Sequence, residues 1–183
     1  MSKDNGTTYS FDVCSQCRSI CCQDAKPPLT TNRKKTLQAY LKEHKINIKD
    51  VFTTEDYTQP ATDEQLYCLL FNKQTGKCMV HPVKPETCVA GPVTFNINFC
   101  SQKVEWFLKT KDLCTYAGVL YNDKPAFQEH FEVAKKQIIA LIEQLSAEEL
   151  RALIKIDEPQ TFKFCEDDLP KEGRTRNQVV KVR

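Results

Sequence analysis

Val93-Thr-Phe-Asn-Ile-Asn-Phe99 alternates apolar and polar residues without a break, which puts Val93, Phe95, Ile97 and Phe99 on one face of a half-buried strand. Farther along, the period changes. From Asp123, the residues Phe127, Phe131, Ala134, Ile138, Leu141, Ile142 and Leu145 recur at three- and four-residue spacing, the stripe of an amphipathic helix that Asp123 can cap and Pro125 can start. Ser146-Ala-Glu-Glu149 has the spacing of a capping box and predicts a second, shorter helix through about Ile154, ended by Pro159.

Ahead of these elements, Pro27-Pro28 stops regular structure, and Thr30, Thr31 or Asn32 can cap a helix over about 32–45 with Leu37, Tyr40, Leu41 and His44 on one side. Its first turn holds Arg33, Lys34 and Lys35, the wrong sign for the helix dipole by a few tenths to ~1 kcal/mol each. A tertiary or ligand contact would offset that; otherwise the triplet reads as a solvated helix end. Cys78-Met-Val80 follows a turn signal at Thr75-Gly76 and predicts a short strand. Residues 101–108 fit a short helix or a strand. The chain from Glu166 mixes charges and carries Gly173 among Arg174 and Arg176, so a poorly ordered tail is expected over 166–183.

Composition changes this picture at one point. Ten of the 183 residues are cysteine, and they are counted in the 40% that is hydrophobic, so the true supply of core side chains is lean. Only 5 Gly are present, which excludes collagen-like classes, and 26 Lys and Arg against 24 Asp and Glu give a net charge of +2 with no run of five like charges. Nothing here points to nucleic acid or to a membrane surface as a partner. The first ten residues lack the apolar run of a secretory signal, and the longest aliphatic run, Ile138 to Ile142, is too short to span a bilayer. The expected location is therefore cytoplasmic. In a reducing compartment clustered thiols are metal ligands or catalytic groups more often than disulfides.

Four thiols fall within nine residues, Cys14-Ser-Gln-Cys17-Arg-Ser-Ile-Cys21-Cys22. A pair two residues apart is the spacing at which a tight turn aims both sulfurs at one ion. Cys17 to Cys21 adds a third donor about one helical turn on. Adjacent side chains diverge, so Cys21 and Cys22 are expected to be divided between two metal centres, or one of them to serve a larger cluster. Cys68, Cys78 and Cys88 then recur with nine residues between each, and Cys100 follows after eleven. Four thiols plus four allow two closed four-cysteine sites or one polynuclear centre, and spacing alone does not pair them.

Several named motifs are excluded. Radical S-adenosylmethionine enzymes use cysteine gaps of three then two, whereas the gaps from Cys14 run two then three. The bacterial ferredoxin run ends in Cys-Pro, but Gln23 follows Cys22 and Val89 follows Cys88. A thioredoxin-type pair needs a preceding strand, for which Asp12-Val13 is too little.

Cys14-x-x-Cys17-x-x-x-Cys21-Cys22, Cys68-Leu-Leu-Phe71, Gly76-Lys-Cys78-Met-Val80, Lys84-Pro85 and Cys88-Val-Ala-Gly-Pro92 together resemble the CxxCxxxCC cysteine-cluster family of YkgJ-type proteins. That family is described as zinc- or iron-chelating and is often labelled iron-sulfur cluster-containing. The resemblance covers about Val13 to Cys100. It implies eight metal-binding cysteines, carried onto Cys14, Cys17, Cys21, Cys22, Cys68, Cys78, Cys88 and Cys100. The family usually shows Arg-Pro where this chain has Lys84-Pro85, and a basic residue where it has Val89; Lys does not replace the forked guanidinium of Arg. Some larger relatives are flagellin lysine methyltransferases, but this chain matches the cysteine part.

The remaining candidates read more plainly. Cys114 and Cys165 lie outside the pattern and are expected as small buried hydrophobes, with Cys114 the alternative to Cys100 as eighth ligand. His81 could ligate or hydrogen-bond a thiolate. His44 and His130 fall on helix faces as structural or solvated groups. Trp106, Phe107 and Phe99 are expected in the core, and Glu148-Glu149 is explained by capping.

The sequence thus predicts an α+β, mainly helical single domain over residues 1–183. Its irregular, metal-organised, cysteine-rich front half, residues 11–115, packs on C-terminal helices within 122–156. The expected function is metal binding, with an iron-sulfur cluster or Zn2+ as the group held. An iron-sulfur centre implies a redox or electron-transfer role and a protein redox partner; zinc implies a structural or interaction module without catalysis.

Overall fold

In the computed structural model, which describes residues 21–154 and 160–171, the first helix is α1 (Thr31–Glu43). Thr30 caps it, its Oγ1 accepting from the Arg33 N–H at 3.0 Å, and Leu37 and Leu41 are its buried face. Two small antiparallel hairpins follow. Strands β1 (Phe52–Thr54) and β2 (Thr58–Pro60) form one, and β3 (Phe71–Asn72) and β4 (Lys77–Cys78) the other. A 3-10 turn, His81–Val83, leads into the short helix α2 (Glu86–Ala90).

The second part of the chain is built around a three-stranded antiparallel sheet. It contains β5 (Val93–Asn98), β6 (Lys103–Lys109) and, last in the chain, β7 (Thr161–Asp168), in the order β5-β6-β7. Between β6 and β7 come α3 (Thr115–Asn122), α4 (Lys124–Gln144) and α5 (Ala147–Leu153). The Asp123 cap, accepting from Ala126 N–H at 3.0 Å, starts α4 where expected, and the reciprocal Ser146–Glu149 capping box starts α5.

Two hydrophobic clusters divide the described residues. The larger joins Val93, Ile97, Val104, Trp106 and Leu108 of the sheet to Phe131, Ala134, Ile138, Leu141 and Ile142 of α4. Trp106 is wholly buried and stands edge-on to Phe131 with ring centroids 5.4 Å apart. The smaller cluster is Leu29, Leu37, Leu41, Cys68, Leu70 and Val80. At ~1.5–3 kcal/mol for each fully buried large side chain, the smaller cluster supplies much less burial than the larger one.

The fold is α+β, with helices and antiparallel sheets side by side. Three elements resolve, correct or add to the expectation. Residues 101–108 resolve to the strand β6, whose alternately buried Val104, Trp106 and Leu108 face the helices. Glu166, Asp167 and Asp168, expected in a loose tail, are the end of β7, because each acid has a basic or indole partner: Lys163 at 2.7 Å, Trp106 Nε1 at 2.8 Å and Lys103 at 2.8 Å. Helix α3 has a glycine in its middle, and a Cβ on Gly118 would lie 3.2 Å from the Lys111 Cβ, so the preceding loop packs against its backbone. The expected stop at Pro159 and the tail from Glu172 onward lie outside the described residues.

Candidate metal centre

Cys22 and Cys68 are joined first by backbone. The Cys68 N–H donates to the Cys22 carbonyl at 2.8 Å, and the Asp24 N–H to the Leu66 carbonyl at 2.8 Å, so residues 22–24 and 66–68 form a short antiparallel seam. Cys78 arrives by the β3–β4 hairpin. Asn72 Oδ1 accepts the N–H groups of Gln74 and Thr75 at 2.9 and 3.0 Å, and Gly76 takes φ +67°, a conformation that favours glycine. The Met79 N–H then reaches the Leu70 carbonyl at 2.8 Å, bringing Cys78 beside Cys68. Nine intervening residues thus close onto one site. Cys88 comes from the far side, on α2.

The result is a cavity of about 30 Å³ lined, among the described residues, by Cys21, Cys22, Cys68, Cys78 and Cys88, with Ala25, Pro27, Leu70 and Pro85 as its apolar walls. No carboxylate or imidazole is among these lining residues. An all-sulfur donor set suits zinc or iron-sulfur centres and not hard cations. The Leu70 N–H donates to the Cys68 sulfur and the Val80 N–H to the Cys78 sulfur, the same two-residue arrangement at each cysteine. Amide donation of this kind favours the thiolate form and tunes a bound centre. Both donors belong to wholly buried residues of the smaller cluster, so the core and the site share backbone.

Electrostatics crowd these thiols. Burial, and then neighbouring sulfurs, raise Cys68 to about 11, and burial likewise pushes Cys78 and Cys88 up. Cys22 is raised because it donates to Cys21, which is thereby held down to about 6 with help from Lys109 and Lys84. Five soft donors that resist simultaneous ionisation in the free protein are groups that a cation would relieve. No three or more His, Cys, Asp or Glu among the described residues meet in a ready single-ion shell. The thiols stand round the cavity and do not converge on one point.

The chain matches one family model, CxxCxxCC, described as "Putative zinc- or iron-chelating domain", over residues 13–115, more than half its length. The chain belongs to that family. No curated protein and no solved structure matches it. Family membership supports metal binding, with zinc or iron as the metal. No helix among the described residues is long and apolar enough to cross a membrane.

Five of the eight expected ligands therefore come together, and Cys14 and Cys17 lie outside the described residues. Of the two arrangements expected for the adjacent pair, division between two centres or service in a larger cluster, the shared lining of one cavity by Cys21 and Cys22 fits the second. Cys100 does not line it: it sits exposed in the β5–β6 turn, where Asn98 Oδ1 accepts its N–H at 3.1 Å. Six residues of β5, about 20 Å at ~3.4 Å each, carry it away from α2. Cys114 precedes α3 and Cys165 lies in β7, both packed on the larger cluster. His81 is outside the lining, its pKa lowered to about 4 by burial and then by Lys84.

Of the groups that hold α2, sequence reasoning missed Glu86 and left His130 as a structural or solvated group. Glu86 is buried, its Oε1 accepting from Thr30 Oγ1 at 2.6 Å, and His130 Nε2–H donates to the Ala90 carbonyl at 2.9 Å. The signal for Glu86 was an acid just after Pro85 at a helix start. Burial lowers the pKa of His130 below the usual 6.5, so the folded state favours the neutral ring. Its contribution is full above pH 6.5 and is lost as pH falls from there through the depressed value. Thermal melts from pH 7.5 to 4.5 are expected to show this acid loss, and His130→Gln should flatten it; an equally steep variant would assign the loss elsewhere.

Proposed function

We propose that the protein holds an iron-sulfur centre in the thiol cavity and uses it in a redox or electron-transfer step with a protein partner. One observation carries this reading: five cysteines surround one cavity, and two of them accept backbone N–H groups at their sulfurs. Five thiols exceed the four that a tetrahedral ion takes, and an adjacent pair cannot easily serve one tetrahedron. Both facts favour a single polynuclear centre over two separate four-cysteine sites. The ligands we propose are Cys21, Cys22, Cys68, Cys78 and Cys88, completed by Cys14 and Cys17. When bound, such a centre supplies one-electron chemistry. The chain's own part is to exclude water with Ala25, Pro27, Leu70 and Pro85, and to set the charge around the sulfurs with Lys84 and Lys109. A reducing cytoplasmic setting suits it.

A structural zinc centre is the second reading, favoured by the small size of the front cluster, which a metal would reinforce. Anaerobic purification with metal and sulfide analysis and an absorption spectrum separates the two. Iron with acid-labile sulfide and a broad visible band is the expected result. Stoichiometric zinc with no sulfide and no visible band would overturn it in favour of a structural or interaction module.

A further inference from the structure

We infer that Glu86 is a positioning residue of the metal centre, its buried carboxylate setting the angle at which α2 presents Cys88 to the cavity. The inference rests on reading the cavity as a metal site. Helix α2 has five residues, too few to hold a helix by themselves, and its cap residue Pro85 has no side chain to accept an N–H. Its place is therefore set from outside.

Glu86 makes the connection at its first turn. Oε1 takes the Thr30 hydroxyl at 2.6 Å and lies 3.6 Å from Arg33 Nε, and Arg33 goes on to Gln137 Oε1 of α4 at 2.6 Å and the Val83 carbonyl at 3.5 Å. One carboxylate thus ties α1, the 3-10 turn, α2 and α4 together. Stability does not explain this choice. The side chain is 5% exposed and Oε2 has no hydrogen-bond partner among the described residues, and replacing a buried ion pair by apolar residues of similar volume is often neutral or stabilising. What the pair adds over apolar contact is direction. Two residues are about 200° of helix, so Glu86 and Cys88 point to nearly opposite sides of α2. Fixing the carboxylate toward α1 turns the thiol toward the cavity, and the His130 bond to Ala90 stops the other end from swinging.

The test uses the full chain, stripped of metal, and Zn2+ as probe, with affinity from chelator competition and melting recorded with and without Zn2+. Glu86→Ala is expected to weaken Zn2+ binding about tenfold, the low end for residues that orient metal ligands. Its melting should fall more with Zn2+ than without, so the stabilisation on binding shrinks. Glu86→Gln, which still accepts from Thr30, should recover part of the affinity. Arg33→Met, which keeps the Thr30 bond to Glu86 but removes the ion pair and the link to Gln137, should lose part of the affinity and serves if Glu86→Ala does not fold. A variant that folds, binds Zn2+ within about twofold of the parent and keeps the full stabilisation on binding overturns the inference. A parent chain that takes up neither Zn2+ nor, on reconstitution with iron and sulfide, a cluster instead overturns the metal-site reading on which it rests; if it takes up the cluster alone, the same variants are compared by bound iron and sulfide.

Discussion

A Cys68→Ser chain is expected to carry about a tenth or less of the parent's metal, since replacing even a residue that only orients a ligand costs about 10–100-fold in affinity. Cys68 is buried at the joint of the cavity, backbone-paired to Cys22 and hydrogen-bonded at sulfur by the Leu70 N–H. A serine hydroxyl is a hard, protonated donor in place of a soft thiolate. Cys100→Ser, altering an exposed turn, is expected to leave metal content unchanged. Metal analysis of both variants decides the ligand set, and equal loss in the two would return Cys100 to the centre. Amide exchange adds a second readout. In Cys68→Ser, exchange at Leu70 and Val80 should speed up while that at Ile138 and Leu141 stays slow, because Leu70 and Val80 belong to the front cluster beside Cys68, whereas Ile138 and Leu141 lie on α4, which contributes no residue to the cavity lining.

Trp106→Ala is expected to cost about 3–5 kcal/mol of unfolding free energy in urea titrations. The indole is wholly buried, contacts Phe131 edge-on, and donates Nε1–H to Asp167 Oδ2 at 2.8 Å, binding β6 to α4 and β7 together. Removing it leaves a cavity where sheet and helix meet. Asp167 keeps the Lys135 ammonium at 3.2 Å, so it is not stranded. Trp106→Phe should retain most of the stability. A cost below about 1 kcal/mol for the alanine variant would mean that the interface collapses to fill the gap.

What could be read from the chain was what repeats or caps locally. The stripe on α4, the Ser146–Glu149 box and the alternation at 93–99 are each complete within one segment, and each forms where it was expected. Elements without such a signature were not legible. Helix α2 is five residues with β-branched Thr87 and Val89, and it exists because α1 and α4 hold its ends. Helix α3 contains Gly118, which local propensity disfavours and which leaves room for Lys111, whose Cβ would lie 3.2 Å from an added Cβ. The end of β7 is acidic and reads as tail until Lys103, Lys163 and Trp106 are placed across from it. Arg33, an oddity at a helix N-terminus, makes sense only when Glu86 stands beside it.

The site divides in the same way. By itself the sequence determined the chemistry: a surplus of cysteines in a CxxCxxxCC run with further cysteines at wide intervals specifies soft, thiolate ligation, because donor type belongs to the residue and not to its surroundings. It did not determine which thiols share a centre. The tertiary structure decided that, since the hairpin at Gly76, the seam between 22–24 and 66–68 and the clasp on α2 bring together sulfurs up to 67 positions apart, from Cys21 to Cys88, while the length of β5 carries Cys100 away. Ligand identity is a local property of the chain, whereas proximity depends on how the backbone closes.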